Sequence, residues 1–485
     1  MPLPPVSEKK FTEGFGPGGA TTGKLRIIVT GAGGFIASHL SKRLKAEGHF
    51  VRGVDWKENE YMEPSEFCDE FKNLDLRWPD KCKEALEDGP WDWCFNLAAD
   101  MGGMGFIQSN HSRILFNSTM ISFNVAEAAR VAGVKRFWCA PPDPAARLGA
   151  QIRHSSSCAI RRTSAHFSDA PHSLPRRRYA SSACIYPEFK QLKEDLEGAS
   201  GLKEDDAWPA QPQDAYGLEK LMTEELLMHY EEDFGMVCRI GRFHNIYGPC
   251  GTWKGGREKA PAAFCRKAIT STDSFEMWGN GARRPHAAQF SARNSPRAIL
   301  RAQFSDAPRP PPAAGKQTRS FCYIDDAVEG ILRLMVNAAA APFRRATLGA
   351  QLGAQFADAR LHHTSPLSSP QVSDYKKPLN VGSDEMVSMN QMADLVKGFA
   401  GKAELPTKHI PGPEGVRGRN SDNTLIKQVL GWAPQTTLKE GLGITYKWID
   451  EQVAKYGADT KALTTSTVVG QTMTDSCDMG KAAGK

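Results

Sequence analysis

The chain has 485 residues, enough for two or three domains and a full hydrophobic core. Its hydrophobic content of 40% and charged content of 24% are typical of a soluble globular protein, and no apolar run is long enough to predict a membrane span. The residues from Met1 to Phe15 lack the apolar region of a secretory signal, and the 11 cysteines form no paired C-x2-C motif. We therefore expect a cytoplasmic protein with free thiols and no metal site.

The net charge of +6 comes from three segments, Cys139–Arg178, Ala282–Lys316 and Asn337–Ser373. They hold 17 basic residues, 16 of them Arg, and 4 acidic residues, so the rest of the chain has a net charge of −7. Arg, Ala, Pro and Ser dominate, and no apolar period is sustained. We predict three disordered or loosely looped insertions. Because no aromatic residues alternate with the Arg clusters, we expect no nucleic-acid partner.

Outside these segments, predicted strands alternate with predicted helices. The strands are Leu25–Thr30, Phe50–Asp55, Trp93–Ala99, Lys135–Trp138 and Val237–Tyr247, and the helices are Phe35–Glu47, Ile121–Ala132, Ala215–Phe234, Asn390–Phe399 and Leu425–Val429. This order predicts an α/β fold, a Rossmann-type doubly wound parallel sheet with a smaller mixed C-terminal substrate lobe.

We place the domain boundaries by the same alternation. A first domain of the Rossmann type is predicted at residues 25–250, with an insertion at 139–178. The substrate lobe, with returning Rossmann elements, is predicted at 251–455, with insertions at 282–316 and 337–373. Residues 1–24 and 456–485 are predicted to be disordered.

A glycine-rich turn joins the first strand to the first helix, the context of a dinucleotide-binding fingerprint. Gly31 and Gly34 let the backbone turn and approach a pyrophosphate at the helix N-terminus. Asp55 ends the second strand, where its carboxylate can accept hydrogen bonds from the adenosine ribose and repel a 2′-phosphate, which favours NAD over NADP. The predicted cofactor residues here are Gly31, Gly33, Gly34, Phe35, Ile36 and Asp55. Asp75 fits an adenine contact and a surface turn equally well.

Tyr216 and Lys220 lie four residues apart in a predicted helix and so share one face. The ammonium of Lys220 favours the phenolate of Tyr216 and holds a nicotinamide ribose, so that Tyr216 can exchange a proton with a substrate hydroxyl near neutral pH. By itself this spacing is a weak pattern, because most such pairs lie on an exposed helix face. Together with the glycine loop it predicts redox chemistry on a sugar.

Four longer stretches resemble the GDP-mannose 3,5-epimerases, a family of extended short-chain dehydrogenases/reductases. They are Asn96–Phe106, Ser181–Phe189, Gly251–Pro261 and Gly412–Asn420. The resemblance runs from about Leu25 to Val453, apart from the three inserted segments. It implies an NAD-dependent homodimer that converts GDP-mannose to GDP-L-galactose, a step of ascorbate biosynthesis in plants and algae.

The resemblance also implies residue roles. Hydride passes from the sugar C4 to NAD while Tyr216 removes the hydroxyl proton, and the resulting ketone makes the hydrogens at C3 and C5 acidic. Cys184 and Lys259 then exchange these protons on opposite faces of the ring before the hydride returns to C4. Ser182 hydrogen-bonds to the C4 oxygen. Gly102 and Gly103 let the backbone approach the sugar. The substrate positions carried over are Gly102, Gly103, Ser182, Ala183, Cys184, Asn245, Glu258, Lys259, Ala260, Lys267, Gln317, Thr318, Arg319 and Arg419.

The chain departs from the family pattern where the first segment separates Lys135–Trp138 from Tyr179–Ser182. The family joins these residues in one strand buried on both faces, whereas insertions are normally tolerated in surface loops. Two explanations stay open, unspliced introns translated in frame and a genuine lineage-specific expansion. The alternatives to an active epimerase are an NAD- or nucleotide-sugar-binding pseudoenzyme, and a nucleotide-sugar 4-epimerase or 4,6-dehydratase, against which Cys184 and Lys259 argue.

Overall fold

A parallel sheet forms the centre of the fold. The 14 strands of the described residues are β1 Arg26–Thr30, β2 Phe50–Asp55, β3 Glu70–Asn73, β4 Trp93–Asn96, β5 Arg136–Trp138, β6 Tyr179–Ser182, β7 Cys238–Phe243, β8 Asn245–Tyr247, β9 Phe275–Trp278, β10 Thr318–Tyr323, β11 Leu379–Val381, β12 Met386–Ser388, β13 Thr407–Ile410 and β14 Gly418–Arg419. Eight of them form the central sheet, in the order β11-β7-β5-β4-β1-β2-β3, with β6 also paired to β7. The strand order reverses between β1 and β4, where open α/β sheets bind ligands. The predicted doubly wound fold is confirmed.

The protein is described by a computed structural model, which covers residues 24–101, 106–107, 110–134, 136–138, 179–191, 201–212, 214–234, 238–255, 257–278, 315–336, 378–410 and 417–456. Ten α helices lie in these ranges, α1 Phe35–Ala46, α2 Pro64–Phe67, α3 Pro79–Ala85, α4 His111–Val131, α5 Ala215–Phe234, α6 Ala260–Thr270, α7 Ile324–Val336, α8 Met389–Phe399, α9 Thr424–Leu430 and α10 Leu438–Tyr456. The predictions of disorder for the two termini and the three inserted segments fall almost wholly outside the described residues, as do Gly102 and Gly103. Among the described helices, none is long and apolar enough to cross a membrane.

The central sheet separates two hydrophobic cores, because successive side chains of a strand point to opposite faces. Ile27 and Val29 of β1 face a core that also contains Phe321 of β10 and Ile331 of α7. Ile28, between them, faces a second core with α4 and α5. Both faces of β1 are therefore buried, and the loop that follows it is held on a rigid strand.

The interrupted strand is continuous in register. Both β5 and β6 pair in parallel with β7, with Phe137 opposite Cys238 and Tyr179 opposite Ile240. Trp138 follows Phe137, so the two strands take successive positions along β7 and no register is lost between Trp138 and Tyr179. The end of β6 that carries Ser182 therefore keeps its place beside β7, opposite Phe243.

A smaller set of strands follows the central sheet and mixes parallel with antiparallel pairs. β10 pairs in parallel with β8 and β14 and antiparallel with β12, and β9 pairs with β13. The predicted mixed C-terminal lobe is confirmed. The prediction of one strand from Val237 to Tyr247 is wrong, because the chain leaves the central sheet after Phe243 and joins the second lobe at Asn245.

The apolar pattern predicts that the fourth helix begins at Ile121, but in the structure it begins ten residues earlier, at His111. Asn117, Ser118 and Ser122 are buried on its inner face, where polar side chains interrupt the apolar pattern. They are buried because they have hydrogen-bond partners in the neighbouring segments, such as the amide N–H of Asp100, which donates to Ser118 Oγ at 3.2 Å.

Candidate active site

The glycine loop between β1 and α1 is packed so closely that side chains would not fit. Gly31 has φ +75°, and a β carbon there would lie 2.8 Å from the amide nitrogen of Ala98. A β carbon on Gly33 would lie 2.1 Å from the carbonyl oxygen of Lys57. Within the described residues, α1 begins after Gly34 without a side-chain cap, so the N–H groups of its first turn, including those of Phe35 and Ile36, can bind an anion.

Asp55 lies at the end of β2 and closes this loop. Its Oδ2 accepts a hydrogen bond from Gly33 N–H at 3.0 Å, and its Oδ1 accepts one from Trp56 N–H at 2.7 Å. Burial raises the pKa of Asp55 and hydrogen bonds from backbone N–H groups lower it, and the net result is a pKa of about 6. The carboxylate is therefore charged at neutral pH beside the helix N-terminus, which fits a site for the adenosine ribose of a dinucleotide.

Asp75 is held by a neighbour. Arg77 Nη2 lies 2.6 Å from Asp75 Oδ2. Partial burial raises the pKa of Asp75, but hydrogen bonds from Arg77 outweigh that effect, and the net shift is downward. An adenine contact at Asp75 stays a prediction.

Ser182, Cys184 and Tyr216 meet at the end of β6. Cys184 lies in a single 3-10 turn, Ala183–Ile185, that follows Ser182, whose hydroxyl accepts the amide N–H of Cys184 at 3.2 Å. Ser182 also hydrogen-bonds to Tyr216, near the start of α5. Cys184 and Tyr216 pack together with Phe106. A thiol, a phenol and a hydroxyl are thereby brought to the end of one parallel strand.

Lys220 lies beside Tyr216, but its ammonium is paired elsewhere. Its Nζ is 5.6 Å from the centroid of the Tyr216 ring and 3.0 Å from Glu219 Oε2. Ser122 and Thr223 donate to Glu219 Oε1 at 2.9 and 3.1 Å, and the Glu219 side chain is fully buried. The carboxylate therefore balances the charge of Lys220.

This pairing changes the expected acidity of Tyr216. Burial raises its pKa well above the ordinary value, as do the nearby Cys184 and Glu219, while the hydrogen bond with Ser182 lowers it. The net shift of the Tyr216 pKa is thus upward, and the role of Lys220 in favouring the phenolate stays a prediction. Sequence reasoning missed Glu219, although Tyr216, Glu219 and Thr223 share the helical spacing of one face.

Lys259 immediately precedes α6 and is the N-cap residue of that helix. Its side chain is exposed, yet desolvation by the surrounding protein lowers its pKa. Both hold for a side chain that lines a deep cleft. Cys184 raises this pKa and Arg419 lowers it, so both are electrostatic neighbours of Lys259.

Two arginines lie side by side near Cys184. Arg319 of β10 and Arg419 of β14 are direct partners in a parallel pair, and neighbouring strands lie about 4.8 Å apart. Arg419 Nε donates to Gln191 Oε1 at 2.5 Å, and its Nη1 donates to Cys184 Sγ at 3.6 Å. Burial and the charge of Arg419 lower the pKa of Arg319 to about 9. Two close guanidinium groups favour an anionic ligand such as a diphosphate.

The remaining predicted substrate residues divide into three groups. Gln317 and Thr318 are buried, and within the described residues Gln317 Oε1 and Thr318 Oγ1 have no hydrogen-bond partner. The other three polar residues have partners in the second lobe. Glu258 pairs with Arg266 at 2.8 Å, Lys267 donates to the carbonyl of Glu276 at 2.8 Å, and Asn245 donates to the carbonyl of Ser320 at 3.0 Å. Ala183 and Ala260 lie in the turns that carry Cys184 and Lys259. Their substrate roles stay predictions.

The eight cysteines among the described residues are free, and no group of described residues could hold a metal ion.

The model of the NAD dependent epimerase/dehydratase family matches residues 27–141 and 170–347. The chain is 50% identical over 449 residues to the GDP-mannose 3,5-epimerase of Arabidopsis thaliana, with 92% of this chain and 88% of that protein covered. It is also 50% identical to GDP-mannose 3,5-epimerase 1 of Oryza sativa subsp. indica, with 89% and 83% covered.

Solved structures of lower identity share the fold. The UDP-glucose 4-epimerase of Thermotoga maritima, solved with UDP-glucose, is 17% identical with a TM-score of 0.56, and 88% of this chain and 99% of that one are covered. The UDP-glucose 4-epimerase of Thermus thermophilus, solved with NAD, has the same identity and TM-score and covers 88% and 100%. The glycine loop, Asp55 and the Tyr216/Lys220 pair fit the cofactor of such a family. The chain is an NAD-dependent enzyme of the epimerase/dehydratase family and belongs, within it, to the GDP-mannose 3,5-epimerase family.

Proposed function

We propose that this protein is a GDP-mannose 3,5-epimerase, which converts GDP-α-D-mannose to GDP-β-L-galactose. The observation that carries the proposal is the convergence of Tyr216, Cys184 and Lys259 at one end of the sheet, next to the paired Arg319 and Arg419. The 50% identity to the Arabidopsis and rice proteins supports the same substrate.

The chemistry requires a temporary ketone, because the hydrogens at C3 and C5 of a hexose are not acidic. NAD supplies a hydride acceptor, and later a hydride donor, at C4. Tyr216 takes the proton of the C4 hydroxyl while Ser182 hydrogen-bonds to the same oxygen. Burial raises the pKa of Tyr216, and a bound cationic nicotinamide would, together with Lys220, favour the phenolate.

Inversion at C3 and C5 then requires two groups on opposite faces of the ring, one to remove a proton and one to return it. Cys184 and Lys259 have suitable chemistry, a thiol and an amine whose pKa is lowered by desolvation. They also come from different lobes, Cys184 from the turn after β6 and Lys259 from the start of α6. A sugar bound between the lobes would meet one group on each face.

The GDP diphosphate would lie against Arg319 and Arg419, and Gln317, Thr318 and Asn245 line the same second-lobe strands. Arg419 also contacts Cys184. Substrate binding would thus bring the anion close to the reactive thiol and neutralise two cations at once, the buried Arg419 and the half-buried Arg319.

A pseudoenzyme is the alternative that the interrupted strand raises. The unbroken register of β5 and β6 along β7 supports an active site, because Ser182 and Cys184 keep their place beside Tyr216. A 4-epimerase or 4,6-dehydratase would use Tyr216 and Lys220, but the position of Cys184 and Lys259 would then have no purpose.

We further propose a cytoplasmic homodimer that acts in ascorbate biosynthesis. Apolar side chains on the packed helices α4 and α5, namely Phe116, Leu218 and Met222, are 56%, 42% and 41% exposed. A second copy of the same helix pair would cover them. Analytical ultracentrifugation measures the assembly, and a monomer at micromolar concentration would contradict it.

The experiment incubates GDP-mannose with the chain in D2O and follows the sugar by NMR. The proposal expects GDP-L-galactose with deuterium at C3 and C5. Cys184→Ala and Lys259→Ala are expected to abolish inversion, whereas Lys408→Ala, at an exposed lysine, keeps it. Inversion at C4 alone would favour a 4-epimerase, and binding without exchange would favour a pseudoenzyme.

A further inference from the structure

We propose that Asp100, Arg113 and Arg257 form a latch that holds Lys259 on its face of the sugar, and that breaking the latch separates proton exchange from inversion. These three are positioning residues, and the inference rests on the proposed function. The latch joins the first lobe, through Asp100 and Arg113, to the segment of the second lobe that leads to Lys259.

Asp100 is the centre of the latch. Its Oδ2 accepts hydrogen bonds from Arg113 Nε and from Asn117 Nδ2, both at 3.0 Å. Arg257 Nη1 lies 3.9 Å from Asp100 Oδ1. The Asp100 side chain is only 10% exposed, and two side chains of α4 hold its carboxylate next to Arg257.

Arg257 is held a second time by an aromatic ring. Its guanidinium carbon lies 4.0 Å from the centroid of the Phe106 ring. Phe106 is buried in the same cluster as Cys184 and Tyr216. Arg257 therefore ties the Lys259 segment to the residues that surround Cys184, and a contact between Arg and an aromatic face adds to the ion pair.

The neighbour of Arg257 is held on the opposite side. Glu258 Oε1 accepts a hydrogen bond from Arg266 Nη2 at 2.8 Å, and Arg266 Nε donates to the carbonyl of Trp253 at 3.0 Å. Both side chains of the Glu258–Arg266 pair are buried. Two successive residues are thus bound in different directions, one to the first lobe and one to the second, and the next residue is Lys259.

This geometry predicts a specific failure. When Lys259 is displaced, Cys184 can still remove the proton from one carbon, but no group on the opposite face returns a proton. The Cys184 thiolate takes the proton, the thiol exchanges it with solvent, and the deuteron returns to the same face. The product is GDP-mannose that carries deuterium with its configuration retained.

The test compares Arg257→Ala with wild type in D2O. We expect the rate of GDP-L-galactose formation to fall about a hundredfold, the effect of a misplacement near 1 Å, while deuterium still enters recovered GDP-mannose within about threefold of the wild-type rate. Asp100→Asn, which keeps the shape of the side chain, is expected to raise the ratio of exchange to inversion by less than Arg257→Ala does. A ratio in Arg257→Ala equal to that of wild type would overturn the latch.

A matched control lies at the other end of α4. Arg130 also pairs with a carboxylate, Glu127, and lies 4.6 Å from the centroid of the Phe234 ring. Arg130→Ala removes the same kinds of contact far from Lys259, and we expect its exchange ratio to equal that of wild type.

A measurement without substrate separates the latch from the proposed function. The peptide that covers residues 251–263 includes the N–H of Ala263, which donates to the carbonyl of Lys259. We expect its amide hydrogen exchange to be faster in Arg257→Ala and unchanged in Arg130→Ala. A wild-type chain that fails to epimerise GDP-mannose would count against the function alone. Equal amide exchange in wild type and Arg257→Ala would count against the latch alone.

Discussion

The carbonyl oxygen of Cys184 lies 2.1 Å from the point that a β carbon on Gly217 would occupy. Gly217 follows Tyr216 in α5, so the first turn of this helix touches the backbone that carries Cys184. The distance between two of the proposed reactive groups is therefore set by backbone contact, which is stiffer than contact between flexible side chains.

Gly217→Ala is expected to force this contact apart. Inserting a methyl group into a tight site costs about 1–3 kcal/mol of unfolding free energy, and the displacement separates Tyr216 from Cys184. We expect the rate of epimerisation to fall at least about tenfold. Urea unfolding and the deuterium assay measure the two effects.

Gly398 provides the control. It lies in α8, and a β carbon there would have nothing within 4 Å. Gly398→Ala is expected to stabilise the protein by about 0.5–1 kcal/mol, since alanine favours a helix more than glycine does, and to leave activity unchanged. A Gly217→Ala protein that behaves like Gly398→Ala would show that the contact does not matter.

Glu219 is expected to matter for stability as much as for chemistry. Glu219→Gln leaves the buried Lys220 ammonium without its carboxylate, and breaking a buried ion pair costs about 3–5 kcal/mol. Thermal and urea unfolding measure the loss. Glu225→Gln removes a half-buried carboxylate from the same helix, and we expect a change within about 0.5 kcal/mol. Equal effects of the two substitutions would contradict the role of Glu219.

The fold and the cofactor loop could be predicted because their signals are local. A short apolar strand, three glycines and a helix follow one another within about twenty residues, and Asp55 ends the next strand. The pairing of Glu219 with Lys220 could not be predicted in the same way. The Glu219 carboxylate is held by Ser122, which lies far away in sequence and reaches Glu219 only when α4 packs on α5.

The continuity of the interrupted strand, β5 and β6, could not be predicted from the sequence either. Which residues continue Trp138 depends on their pairing with β7, and only the match of Tyr179 with Ile240 shows that the register is unbroken. The same holds for the bend at His244, where one predicted strand is divided between two sheets. A run of strand-forming residues predicts a strand but not the sheet that it joins.

Arg319 is expected to be unfavourable for stability in the protein alone. Its pKa is lowered to about 9 by burial and by Arg419, so its charge is maintained at a cost at neutral pH. We expect Arg319→Met to raise the free energy of unfolding by about 1 kcal/mol while it weakens GDP binding at least about tenfold. Calorimetric titration with GDP measures the affinity. A variant that loses both stability and affinity would contradict this trade-off.

His244 is expected to make the protein sensitive to acid. Burial lowers its pKa to about 3, with a smaller opposing effect of the hydrogen bond with Asn380 and further lowering by Arg419 and Arg242. A histidine in the unfolded chain binds a proton near pH 6.5. Between these two pKa values the unfolded state binds more protons than the folded state, so stability falls as the pH falls.

The size of this effect at pH 5 is about 2 kcal/mol relative to pH 8. His244→Gln is expected to remove this part of the pH dependence in urea unfolding, whatever His244 contributes at pH 8. Asp55 and Asp325, whose raised pKa values act in the opposite direction, are present in both proteins and cancel in the difference. His229→Gln, at an exposed histidine, is expected to keep the wild-type dependence. If His244→Gln loses stability between pH 8 and pH 5 as steeply as His229→Gln does, His244 is not the acid-sensitive group.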